Sequence, residues 1–248
     1  MHETKVLLPL HLGGLDLSIT PTVFLSFLAA LLLIVFLLLS VRRLDFVPRR
    51  FGQNLLESLV EFIEKQIVSQ AELDVKTWTP LFLTVFLFIL FSSLPLGLLA
   101  ILGPRAELST AAANINGTAA LAVMIFLIGL FVRFKQHGFW GFFKSIVPSG
   151  VNGPISLLLF PIELISQLFK PFSLAIRLFA NMSAGHVLLL SILGFTALFN
   201  NAAVWVLSYG GALVIVFFEI FVCFIQAYVF TLLSALLIGE SVGEEAKI

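Results

Sequence analysis

PIELISQLFKPFSLAIRLFANMSAGH, residues 161–186, decides how the rest of the chain is read. Set on a helix at 100° per residue, Glu163, Ser166, Lys170, Ser173, Arg177 and Asn181 fall within an arc of about 80°. The rest of that cylinder is mostly Leu, Ile, Phe and Ala. A polar stripe on a helix in lipid must face protein or water, because an arginine at mid-bilayer costs roughly 3 to over 10 kcal/mol. The flanking segments are apolar at membrane length, which argues against the surface helix of a soluble protein.

Composition agrees. The 248 residues are 60% hydrophobic and 11% charged, against about 25% charge in a soluble domain. An integral membrane protein is expected, with the lipid bilayer as its surroundings. A net charge of zero gives no pointer to nucleic acid. The single cysteine, Cys223, excludes an internal disulfide and a cysteine metal cluster. No cofactor and no metal is expected. The N-terminal MHETKVLLPLHLGG lacks a basic region followed by an apolar core and a small-residue cleavage site, so no cleavable signal is expected.

Working outward, the apolar runs predict an all-α membrane domain over residues 1–248, with about five transmembrane helices and one amphipathic helix on the membrane surface. Residues 22–41 carry no charge and end before Arg42, Arg43, Arg49 and Arg50. Twenty residues span about 30 Å, enough for one crossing. Residues 51–70 place Phe51, Leu55, Leu56, Leu59, Phe62, Ile63 and Ile67 at three- and four-residue steps. Glu57, Glu61, Glu64 and Lys65 fill the other side, which predicts the surface helix. Residues 79–102 and 111–132 read as the second and third spans, with Pro95 and Gly97 as kink points and Asn114 and Asn116 near the third span's start. A Gly- and aromatic-rich connector carrying Arg133, Lys135 and Lys144 follows.

The last two runs, 155–199 and 202–239, meet at Asn200 and Asn201. As helices they would be about 68 and 57 Å long, against a bilayer core of about 30 Å. They must be strongly tilted, broken, or longer than the bilayer, and they fold into an antiparallel hairpin. Pro161, Pro171, Gly194, Gly210 and Gly211 are available break points. Lysine and arginine counts put the Arg42–Arg50 side, with Lys65, Lys76, Arg133, Lys135 and Lys144, in the cytoplasm or an organelle matrix. The N-terminus is then outside and the C-terminus inside.

Folding the hairpin about Asn200–Asn201 sets Arg177 level with Gln226, His186 with Glu219 and Glu163 with Glu240. Glu219 is the only charge from Ala202 to Gly239, and it meets the only histidine in any predicted span. A His–Glu pair relays protons near neutral pH. Glu163 can do the same toward the opposite surface. Between them Arg177 stays charged and passes no proton on. Two proton paths separated by a fixed cation are two half-channels, and they need a mobile carboxylate on a partner to join them. Ser166, Ser173 and Asn116 are candidate water-path lining. Ser166, Gln167 and Ser173 serve equally as helix-packing groups. Lys170 reads as an interfacial anchor or a conducting group.

KPFSLAIRLFANMSAGH, followed by EIFVCFIQAYVFTLL at Glu219–Leu233, resembles subunit a of F-type ATP synthases. The similarity runs from about residue 20 onward. It implies that Arg177 matches that family's essential arginine, Gln226 its partner glutamine and Glu163 its inner carboxylate. It also implies that Asn181, His186 and Glu219 line the outer half-channel. The His186 and Glu219 arrangement resembles the mitochondrial and alphaproteobacterial one. Asn114 stands where many members have Asp. The resemblance further implies a stator beside a rotating c-ring, whose carboxylate faces Arg177, with peripheral-stalk b subunits and a catalytic head in the assembled complex. Its place would be an energy-coupling membrane, the bacterial inner (plasma) membrane or the mitochondrial inner membrane. The subunit itself would be no enzyme, and no phosphate-binding Gly-rich loop is present for ATP.

The alternative is a secondary active transporter, which needs paired interrupted helices in two related halves; none is found. An intramembrane serine protease would use Ser183 and His186, one turn apart, but no nucleophile-elbow pattern accompanies them.

Overall fold

In the computed structural model of the chain, residues 11–12, 15–16, 21–42, 50–93, 115–145, 154–199 and 201–242 are described. They are almost wholly helical. A two-residue antiparallel pair, β1 (His11–Leu12) with β2 (Leu15–Asp16), precedes the helices. The helices are α1 (Pro21–Val41), α2 (Phe51–Ile63), α3 (Val75–Ser93), α4 (Ile115–Ser145), α5 (Pro154–Leu198) and α6 (Ala202–Val242). Among the described residues five helices are long and apolar enough to cross a membrane. Helices are the form in which such segments satisfy every backbone donor and acceptor without water. In α5 the crossing-length segment is Ala175–Thr196, and a shorter apolar stretch, Leu158–Gln167, precedes it.

Three differences from the sequence reading have physical causes. First, α3 begins at Val75, not residue 79, because Asp74 caps it: the Thr77 backbone N–H donates to Asp74 Oδ2 at 3.0 Å. Second, the expected connector after residue 132 is helical to Ser145. The one departure is at Gly138, whose φ of 65° and ψ of −176° interrupt the helix. Glycine reaches that conformation without a Cβ clash. Third, α5 continues through Pro161 and Pro171, and α6 through Gly210 and Gly211, without a break. Residues 94–102 with Pro95 and Gly97, the turn at 103–110, Asn114 and Asn200 lie outside the described residues.

The chain divides into two compact units. One holds Met1–Arg43, Leu87–Asn114 and Leu178–Ile225. Its core joins Leu189 to Ala212 and Val216, with Ile192, Leu193 and Ile215 packed around them. Phe36 meets Phe91 with ring centroids 5.7 Å apart, and Cys223 Sγ donates to the Ser93 carbonyl at 3.2 Å. The exposed Phe24, Phe27, Leu31 and Leu38 give α1 an apolar face that suits lipid.

The other unit holds Leu44–Phe86, Ile115–Arg177 and Gln226–Ile248. Here α2 runs on as a π-helical turn, Glu64–Val68, and pairs Glu61 with Lys65 on its exposed side. Its apolar side is split. Phe51 is exposed, while Ile63, Ile67 and Val68 are fully buried. Phe62 stacks near Phe86 of α3 and Tyr228 of α6, at 6.0 and 5.7 Å. The second half of this amphipathic helix is therefore covered by protein.

Candidate functional site

Helices α5 and α6 carry two sites, one in each unit. In the Leu44–Phe86, Ile115–Arg177 and Gln226–Ile248 unit, they border a cavity of about 390 Å³. Ser166, Lys170, Ser173 and Arg177 reach it from α5, at steps of four, three and four residues that keep them on one helix face. Leu233, Leu236, Leu237 and Glu240 reach it from α6. Lys170 Nζ donates to both carboxylate oxygens of Glu240, at 2.9 Å to Oε2 and 3.2 Å to Oε1. Arg177 is exposed, flanked by the exposed Phe172 and Ile176. Among the described residues it has no ion pair.

The back of the same α5 segment is held differently. Arg133 of α4 and Gln167 of α5 are both buried, and Arg133 Nη1 donates to Gln167 Oε1 at 2.9 Å. In the sequence Arg133 reads only as a topology signal and Gln167 as a generic packing group. Their partnership has no local signal, since thirty-four residues separate them.

In the Leu178–Ile225 part of the other unit, Glu219 and His186 are both buried, at 4% and 6% exposure. Among the described residues neither carboxylate oxygen of Glu219 has a hydrogen-bond partner. The carboxylate lies over Gly185: a β-carbon there would stand 2.5 Å from Oε1 and 3.1 Å from Cδ. Glycine at 185 thus makes the room that Glu219 occupies. A buried acid without a protein donor is costly in any apolar setting.

The remaining expected site residues are spread. Gln226 is buried and Asn181 exposed; Glu163 is half-buried, and the described lining of the cavity includes Glu240 but not Glu163. Asn116 is exposed near the start of α4. Glu240, expected level with Glu163, pairs with Lys170. The level arithmetic treats side chains as points. Helical side chains lean toward their own N-terminus, so on antiparallel helices Lys170 and Glu240 lean toward each other. Together they close a depth difference of roughly 10 Å. Among the described residues no group of three or more His, Cys, Asp or Glu is placed to hold a metal ion.

Residues 23–239 match the ATP synthase A chain family. The chain is 36% identical over 246 residues to ATP synthase subunit a of Anaeromyxobacter sp. (strain Fw109-5), covering 97% of this chain and 58% of that one. It is 38% identical over 235 residues to ATP synthase subunit a of Myxococcus xanthus (strain DK1622), covering 93% and 75%. It is 36% identical over 242 residues to ATP synthase subunit a of Chloroherpeton thalassium, covering 95% and 70%. The chain therefore spans between 58% and 75% of these relatives' length.

Proposed function

The chain belongs to the ATP synthase A chain family, and on that premise we propose that it is the proton-conducting stator subunit of a rotary ATP synthase. The observation that carries the reading is Arg177: a fixed cation, exposed on the polar stripe of an otherwise apolar helix and bordering a cavity. Such a charge needs an anion outside the chain. A carboxylate on a rotating c-ring supplies it. At about 4 Å and an effective dielectric of about 20, Arg177 favours the ionised carboxylate by roughly 4 kcal/mol, so an arriving acid gives up its proton there.

Protons reach the ring by an outer half-channel through His186, Glu219 and Asn181, with Gln226 beside the arginine. They leave by an inner one bordered by Ser166, Ser173 and Glu163. Arg177 keeps the two apart, since a guanidinium does not deprotonate. Peripheral-stalk b subunits hold the stator against the catalytic head, where ATP is made; this subunit moves ions and is no enzyme alone. The excess of lysine and arginine on one set of connections puts the N-terminus outside and the C-terminus in the cytoplasm or matrix.

The test is Arg177→Ala in the assembled complex, reconstituted in vesicles. Coupled ATP synthesis is expected to fall by about a hundredfold or more. Arg177→Lys should recover only part of it, because lysine's charge is more easily lost on desolvation. Undiminished synthesis in the alanine variant would sink the reading.

A further inference from the structure

The cavity beside Arg177 holds an acid from the opposite helix. Glu240 and Arg177 border the same space of about 390 Å³. That is room for on the order of ten waters. Glu163, on the same stripe as Arg177, is half-buried and is not among the described lining residues. The ion pair with Lys170 fixes the Glu240 carboxylate against the cavity-facing side of α5, with both oxygens within 3.2 Å of Nζ.

We propose that Glu240 is the principal proton acceptor of the cavity beside Arg177, held there by Lys170 as its positioning partner. The assignment rests on the proton-conducting reading above and names the residue that carries its inner half. A proton released to cavity water at Arg177 forms an O–H bond on a Glu240 oxygen, and the donor water loses that bond. The carboxylic acid then passes the same proton to water at the open side of the cavity and returns to its carboxylate. Lys170 keeps its own protons throughout. The described lining carries two cations, Lys170 and Arg177, against one carboxylate.

The prediction ranks two isosteric changes. In the assembled complex, Glu240→Gln should lower vesicle-measured proton pumping and ATP synthesis at least about tenfold. Glu163→Gln should lower both as well, but by less than Glu240→Gln. A Glu240→Gln rate within about threefold of the unsubstituted complex, or no lower than that of Glu163→Gln, overturns the assignment. Glu240→Cys in a Cys223→Ala background gives a second readout. A thiol reagent that adds a carboxylate should raise its rate, and a neutral reagent of equal size should not. Equal rates with the two reagents also overturn the assignment. Arg177→Ala runs alongside. If that variant stays coupled, the proton-conducting reading fails as a whole; if it is dead while Glu240→Gln is active, the Glu240 assignment alone falls.

Discussion

Glu219 and Glu240 are the two carboxylates of α6, and α5 answers each of them differently. Against Glu219 it offers the bare backbone of Gly185, and the acid is buried with no protein donor among the described residues. Against Glu240 it offers Lys170, and the acid sits half in the open beside a cavity. An acid with no countercharge is sensitive to its exact volume and position, because nothing else holds it. An acid in an ion pair is held by charge and tolerates small movements. One helix hairpin therefore sets one carboxylate by shape and the other by charge.

The largest expected effect breaks the first half of that contrast. Gly185→Val puts a side chain where Glu219 Oε1 now lies. The displaced atoms are the end of a flexible side chain, so the fold should absorb the change while the carboxylate leaves its place. Coupled ATP synthesis by the reconstituted complex should fall by about tenfold or more, with subunit assembly on native gels unchanged. Normal synthesis would show that the position of Glu219 over Gly185 has no role.

The next effect belongs to the Glu240 side and reads as stability. Gly239 packs against the backbone carbonyl of Ala71, and any β-carbon there would overlap that oxygen. Backbone does not yield as a carboxylate tip does. Gly239→Val should destabilise the complex by about 1–3 kcal/mol, seen as a lower inactivation temperature. Equal thermal behaviour of the Gly185 and Gly239 variants would erase the distinction between a shaped site and a packed one.

A comparable effect concerns the buried Arg133–Gln167 pair between α4 and α5. Arg133→Met removes the donor to a buried Gln167 and should cost about 1–3 kcal/mol. Adding Gln167→Leu should return part of that loss, because both polar partners are then gone. Strict additivity in thermal inactivation would mean that the pair does not act as a unit.

These sites were unequally legible in the sequence. The helices were legible because a bilayer leaves few other forms for long apolar runs. Gly185, one residue before His186, borders Glu219, a contact in which one partner is a bare glycine backbone. The ion pair at Glu240 could not be read from levels alone, because a long lysine leans several residues along the helix to reach its partner. The helix over 133–145 was hidden by Gly138 and Gly141 and the aromatics around them, a composition that also marks loops. Arg133 with Gln167 had no signal at all, because α4 and α5 meet only in three dimensions.

The smallest expected effect lies at the support beneath Glu240. The chain turns between α2 and α3 through the buried Ala71, the left-handed Glu72 (φ 54°) and Asp74. Ala71 is the residue that Gly239 packs on, so this turn sets the place from which Glu240 projects. Asp74 ties the turn to α3. Its carboxylate accepts from the Thr77 hydroxyl and from the Thr77 backbone N–H at 3.0 Å. Those bonds, the hydroxyl's first, hold its pKa below the usual 3.8. A lowered carboxylate contributes stability that is fully present above 3.8 and is lost as pH falls through the lower folded value. The group is fully exposed, so the contribution is small. Asp74→Ala should lower the inactivation temperature slightly at neutral pH, and the gap from the unsubstituted complex should narrow as the medium is acidified below 3.8. Asp74→Ser keeps a capping oxygen that carries no charge, and should retain part of the stability without that acid dependence. A gap that stays constant across the acid range would assign the turn's stability to Ala71 and Gly239 packing alone, leaving the cap with no part in holding Glu240.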